Sequence, residues 1–270
     1  MTRRRVLAAA AVAVALVGCS ETTEPSSRPL AVRTPAEDAV TEVPPPSPVA
    51  TPKAKPTPDN PYVTERPPWL GTRVLPEGPQ GFGPAQRTPP ILRNRRFATP
   101  DILPRPKKKG YTATIGPVPR DVLERSTWRP KCPVAVEDLA YLTMTFWGFD
   151  RDRHTGEMIV HASVAEQIAG VFERIYEARY PIEEMRVITL KEQRAPITGD
   201  TNITSSFECR PVTLGDSWSQ HSYGLAIDIN SFHNPYWRGD LVAPELATAY
   251  LKRNWRRPGM IFEGDAVVQA

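Results

Sequence analysis

Asp216 to Asn230 reads D-S-W-S-Q-H-S-Y-G-L-A-I-D-I-N, which places His221 and Asp228 on either side of a glycine turn. The apolar run Leu225 to Ile229 predicts a short strand. Its period of two puts Leu225, Ile227 and Ile229 on one face, and Gly224, Ala226 and Asp228 on the other. The aspartate then shares its face only with small residues. A carboxylate among apolar neighbours is costly unless it is paired, hydrogen-bonded or bound to a metal. A neutral imidazole and a carboxylate with room beside them make half of a catalytic zinc site, which takes three protein ligands and keeps a fourth position open. A buried His–Asp hydrogen bond is the other reading of the same pair.

Ser219, His221, Gly224, Ala226 and Asp228 together spell S-x-H-x-x-G-x-A-x-D. This resembles the signature of the zinc D-alanyl-D-alanine carboxypeptidases and the related L-alanyl-D-glutamate peptidases, which cut peptidoglycan stem peptides. The resemblance runs upstream through Phe207-Glu208-Cys209-Arg210, Trp147-Gly148-Phe149-Asp150 and His154-x-Gly156-Glu157, and downstream to Asn230 and Asn234-Pro235. It implies Zn2+ held by His221 and Asp228, with Arg210 near the metal. A fixed guanidinium suits the carboxylate of a stem peptide and the oxyanion of its scissile amide; a structural salt bridge is the alternative for Arg210. Asp216 and Ser219 would hold the site loop, with Ser219 as a supporting partner of the ligand set.

In that family a C-terminal stretch resembling W-G-G-x-W, followed by D-x-x-H-F, supplies the third zinc ligand and the acidic general base. The residues here run through Glu263-Gly264-Asp265-Ala266-Val267-Val268 to Ala270 without such a motif. The resemblance therefore implies a C-terminally incomplete domain, with the third ligand absent and the general base unassigned. Neither Glu263 nor Asp265 sits in a matching motif. His233 is the one other histidine close to the motif, to be read as a substitute ligand or as an ordinary loop residue. Three readings stay open: a lipid-anchored zinc peptidase, a non-catalytic wall-binding or regulatory lipoprotein, and an inactive truncated fragment.

The chain begins with Arg3-Arg4-Arg5 and an apolar run from Val6 to Val17, the layout of a secretory signal and too short for a mature membrane span. Leu16-Val17-Gly18-Cys19 resembles the lipobox of bacterial lipoproteins, which makes residues 1–18 the signal and Cys19 the lipidated first residue. A plain secretory signal with an incidental cysteine is the alternative. The lipid-anchored reading puts the protein on the extracytoplasmic face of the cell membrane, as a monomer facing peptidoglycan stem peptides.

Residues 19–110 contain 21 of the 31 prolines, which favours an extended, mostly disordered tether over a folded domain. Trp69-Leu70 and Ile91-Leu92 are its candidate docking points. Formal charge divides along the same boundary. The signal carries +3, residues 20–110 carry +5, and residues 111–270 carry −4, so the overall +4 belongs to the N-terminal parts. Arg93-x-Arg95-Arg96 and Lys107-Lys108-Lys109 read as a solvated charge run or as contacts to anionic lipid or wall polymer. Nothing here indicates nucleic acid. With Cys19 lipidated, Cys132 and Cys209 remain, and an oxidising compartment permits their disulfide. Two free buried cysteines are the alternative.

Residues 111–270 suffice for one globular domain. Leu139 to Phe149 alternates as a strand, and Asp150 to Gly156 reads as a hairpin turn into Glu157 to His161. Ser163-x-x-Glu166 has the form of a capping box opening a helix to about Arg179, with Ile168, Val171, Phe172, Ile175 and Tyr176 on one face. Met185 to Leu190 predicts a strand and Ala243 to Trp255 a second helix. His154 and His161 read as turn and surface histidines. Without repeated βαβ units the pattern is α+β, a compact domain with a small, mostly antiparallel sheet and flanking helices.

Overall fold

The computed structural model describes residues 60–78 and 81–270. The signal, Cys19 and the tether as far as residue 59 lie outside the described residues. No helix among the described residues is long and apolar enough to cross a membrane.

The fold is α+β. Strands β1 (Ala113–Pro117), β2 (Leu139–Trp147) and β3 (Arg153–His161) form an antiparallel sheet in the order β1-β2-β3. A short helix α1 (Arg120–Arg125) joins β1 to the loop before β2, and α2 (Ala165–Glu177) follows β3. Two short parallel strands come next, β4 (Glu184–Met185) and β5 (Ile203–Thr204), with the one-turn helix α3 (Leu190–Gln193) between them. A small hairpin of β6 (Tyr236–Arg238) and β7 (Leu241–Ala243) and a last turn of helix, α4 (Ala266–Gln269), complete the order.

The alternation read between Leu139 and Phe149 is real. Ala140, Leu142, Met144 and Phe146 from β2 join Met158 and Val160 from β3 in a core closed by Ala165, Ala169, Phe172 and Ile175 of α2. The opposite face of the hairpin carries a second cluster in which Leu139 and Ile159 meet Val122, Val187 and Phe207. The hairpin is thus buried on both faces and forms the spine from which the site hangs.

Several local expectations give way to better partners. The α2 helix does not begin on a Ser163–Glu166 capping box. His161 instead accepts from the Ser163 backbone N–H, and a 3-10 turn over Ala162–Val164 leads into the helix. The strand from Met185 shortens to Glu184–Met185, because Thr189 and Glu192 form a true capping box that starts α3. Residues 243–255 are not a helix; they hold only a 3-10 turn over Thr248–Leu251. The N-terminal arm takes the backbone groups a helix would have used. Thr88 Oγ1 donates to the Leu246 carbonyl at 2.6 Å and accepts from Ala249 N–H at 2.8 Å, while Gln86 N–H donates to the Glu245 carbonyl at 2.9 Å.

That arm corrects the tether boundary. From residue 60 the proline-rich stretch lies on the domain, with Leu75, Leu92 and Phe97 buried against Phe232, Leu246, Tyr250 and Met260. Proline content removes backbone donors, but it does not prevent spaced apolar anchors from filling a core. The basic run ends its solvated reading at Arg95, which is 2% exposed and forks onto the buried Glu183, with Nε to Oε2 at 2.8 Å and Nη2 to Oε1 at 2.6 Å. Asn202 Nδ2 donates to the same carboxylate at 2.7 Å, and Arg95 Nη1 donates to the Asp200 carbonyl at 2.6 Å. A buried pair is tolerable only when its remaining donors and acceptors are satisfied in this way. Cys132 and Cys209 are joined with Cα atoms 5.9 Å apart across 77 residues, tying the entry of the domain to the segment that leads into the site.

Candidate functional site

Two consecutive residues after β5 position the His–Asp pair. Ser205 and Asp228 form an isolated antiparallel bridge, Ser205 N–H to the Asp228 carbonyl at 3.0 Å and Asp228 N–H to the Ser205 carbonyl at 2.9 Å. The next carbonyl, on Ser206, accepts from His221 Nδ1 at 2.7 Å. A carbonyl can only accept, so Nδ1 carries the proton and the neutral ring keeps its lone pair on Nε2. That Nε2 lies 3.5 Å from Asp228 Oδ2.

The turn carrying His221 is built for close approach to β3. Ser219 caps a 3-10 turn over Gln220–Tyr223, its Oγ accepting from His221 N–H at 3.3 Å. Gly224 ends the turn at φ 69°, and its carbonyl accepts from His161 N–H at 3.0 Å. A Cβ at Gly224 would stand 2.5 Å from that same backbone nitrogen, so no other residue fits here. Ile227 and Ile229 do pack against the main core, but Leu225 is 48% exposed and the strand reduces to the single bridge at Asp228. Asp228 is correspondingly open, with its side chain 54% exposed against 14% for His221. The sequence expectation of a carboxylate enclosed by apolar neighbours is corrected: the small residues around it leave it facing solvent.

Arg210 stands beside this turn. Ser222 Oγ accepts from Arg210 N–H at 2.9 Å, and Ser219 N–H donates to the Arg210 carbonyl at 3.1 Å. Its guanidinium pairs with Glu208, Nε to Oε2 at 2.7 Å, and keeps about a third of its side-chain surface exposed. The salt bridge is therefore present, on a side chain still open to solvent. Asp216 lies on the exposed turn after Pro211, and no hydrogen bond among the described residues links it to His221 or Asp228. Glu263 is exposed, and Asp265 Oδ2 accepts from Phe262 N–H at 2.8 Å.

The other three histidines have different work. His233 is fully buried between Phe149 and Tyr250, with Nε2 3.0 Å from the Arg95 carbonyl and Nδ1 3.0 Å from Asn202 Nδ2. Burial pushes its pKa down to about 3. Both nitrogens are engaged away from Asp228, so it is no substitute ligand. His154 is not a turn residue but a buried one in β3, its ring nitrogens 2.7 Å from Asp101 Oδ1 and 3.1 Å from Asp150 Oδ1. Burial works against the charge on Asp150, yet hydrogen bonding and attraction from His154 outweigh it and hold this carboxyl below its usual range. His161 is the capping residue described above. Sequence reasoning missed Ser206, because a backbone carbonyl leaves no mark in residue identity. It also passed over the pairing of Glu208 with Arg210, although the Phe207–Arg210 stretch had drawn attention to both.

Among the described residues no group of three His, Cys, Asp or Glu converges to hold a metal ion. The pair itself fits two corners of one. Zinc bonds of about 2.0–2.2 Å at a tetrahedral angle set neighbouring donors roughly 3.4 Å apart, close to the 3.5 Å observed.

An α+β domain that turns a half-locked histidine toward an open aspartate presents a candidate functional site. Residues 213–270, which include both side chains, match the model of a family described as D-alanyl-D-alanine carboxypeptidase. The matched region is a minority of the chain and begins after Arg210. No curated protein and no solved structure matches the chain.

Proposed function

We propose that this chain is a peptidase of peptidoglycan stem peptides that uses zinc held by His221 and Asp228, anchored outside the cytoplasmic membrane through a lipid on Cys19. The observation that carries the reading is the His221 ring, proton fixed on Nδ1 by the Ser206 carbonyl and lone pair 3.5 Å from Asp228 Oδ2. Hydrogen bonding of the distal nitrogen is how ligand histidines are oriented. A bound zinc would polarise the scissile carbonyl and lower the pKa of its water. The residues of this chain supply the rest: Ser205 and Ser206 fix the two ligands, and Arg210, oriented by Glu208, offers a guanidinium to a substrate carboxylate. The open side of Asp228 leaves room for a peptide. D-Ala–D-Ala carboxypeptidase and L-Ala–D-Glu endopeptidase chemistry both fit this arrangement.

A second reading, a wall-binding module without catalysis, is favoured by one observation: His221 and Asp228 supply two metal ligands where a catalytic zinc takes three. Elemental analysis of the dialysed full chain, beside His221→Ala and with muropeptide cleavage assayed in parallel, separates the two. Zinc near one per chain, lost in the variant together with cleavage, supports the peptidase. A folded chain that retains no zinc and leaves muropeptides intact while still binding them refutes it in favour of the module.

A further inference from the structure

At the turn end of the β2–β3 hairpin lies a cavity of about 430 Å³, within the range of small-molecule sites. The turn of His221 packs at the other end of β3, on the order of 25 Å away along the strand. The cavity is lined by Arg96, Arg151 and Arg179, with Trp147 and Tyr62 as aromatic walls. Tyr62 comes from the N-terminal arm, which Asn60 Nδ2 pins to the Asp150 carbonyl at 3.0 Å.

None of the three arginines forms an ion pair with Asp or Glu among the described residues. Asp150, next to Arg151, is engaged elsewhere: Oδ1 accepts from Asp152 N–H at 3.1 Å and Oδ2 from Thr99 N–H at 3.3 Å. Two of the guanidinium groups lie over rings instead, Arg151 3.3 Å from the Tyr62 centroid and Arg179 4.8 Å from that of Trp147. Trp147 is held in plane by Tyr176, stacked at 5.4 Å. Arg151 and Arg179 both have left-handed backbones, at φ 67° and 54°. Both belong to turns: Arg151 N–H donates to the Gly148 carbonyl at 3.1 Å in the hairpin turn, and Arg179 N–H, just past the C-cap of α2, donates to the Tyr176 carbonyl at 2.9 Å. Finally, Trp147 Nε1 and Arg96 Nε are buried donors without an acceptor among the described residues. Unmet donors are rare in native structures, and these two belong to side chains that line the cavity.

We propose that this cavity is a second ligand site, for a small carboxylate or phosphate oxyanion carried on a flat apolar body. Guanidinium forks match the oxygens of either anion, and the rings flank the body. The site shares no residue with the His221–Asp228 pair and does not rest on the peptidase reading.

The test is an NMR titration of the 15N-labelled full chain, following the Trp147 indole N–H resonance, assigned by its loss in Trp147→Phe. The probes are benzoate, phenyl phosphate and the neutral benzamide. A saturable shift with at least one anion and none with benzamide is expected, weakened about tenfold in an Arg151→Met/Arg179→Met double variant that keeps the wild-type unfolding midpoint. Tighter benzoate identifies a carboxylate ligand, and tighter phenyl phosphate a phosphate one. If the double variant does not fold, Trp147→Phe, which keeps a smaller aromatic wall and loses the indole donor, must weaken ligand-observed binding of the same anion. Absence of saturable binding by either anion, an equal response to benzamide, or undiminished binding in the folded variants overturns the proposal.

Discussion

The surroundings of His233 and of His221 each bring a histidine near a carboxylate, and they differ in how completely their polar atoms are paired. Under the N-terminal arm, His233 and Glu183 are both 0% exposed and share Asn202, and every nitrogen and oxygen of the two side chains meets a partner. At the edge, His221 has one nitrogen tied to Ser206 and the other turned toward an exposed aspartate. The buried set resists any further ligand, because entry would break bonds that cannot be replaced by water. The edge pair keeps one lone pair and one carboxylate in reserve. The same residue types thus give a structural clamp in one place and a candidate reaction centre in the other, and saturation of the hydrogen bonds makes the difference.

The sharpest way to break the comparison is Arg95→Ala, which leaves Glu183 as an uncompensated buried charge. It is expected to cost about 3–5 kcal/mol in urea unfolding, and to free the N-terminal arm to proteolysis. A cost near that of a surface ion pair would show that the arm is not part of the folded unit. Replacing Cys132 and Cys209 together by serine removes the tie into the site segment, with an expected loss on the order of 4 kcal/mol for a long loop. That loss should lower the unfolding midpoint without dissociating the arm.

A third effect reads the buried His233 by pH. The folded pKa of His233 is about 3 against an ordinary 6.5, so between those values the unfolded chain binds a proton that the folded chain refuses. Stability from this residue is whole above pH 6.5 and falls as pH drops toward 3, by on the order of 3 kcal/mol between pH 6.5 and 4. Unfolding midpoints across that range should slope less steeply in His233→Gln than in the wild type. The smallest expected change in stability is at the open pair. His221→Ala and Asp228→Asn should each shift unfolding by less than about 1 kcal/mol, since partly exposed pairs contribute little, while both abolish zinc retention. A large loss of stability in either would place the pair with the clamp.

The sequence by itself determined the β2–β3 hairpin, the apolar face of α2 and the candidacy of His221 and Asp228. Alternation, helical spacing and S-x-H-x-x-G-x-A-x-D are properties of neighbouring residues, and Gly224 records in its own identity that the turn must touch another backbone. Only the tertiary structure decided which histidine is spare, that Ser205 and Ser206 hold the pair, and that the proline-rich arm closes a core. Those outcomes depend on partners far apart in the chain: Arg95 meets Glu183 across 88 residues, and Thr88 meets Leu246 across 158. Buried polar groups must be satisfied by whatever the fold brings to them. Local pattern cannot name such partners, because they become neighbours only when the chain has folded.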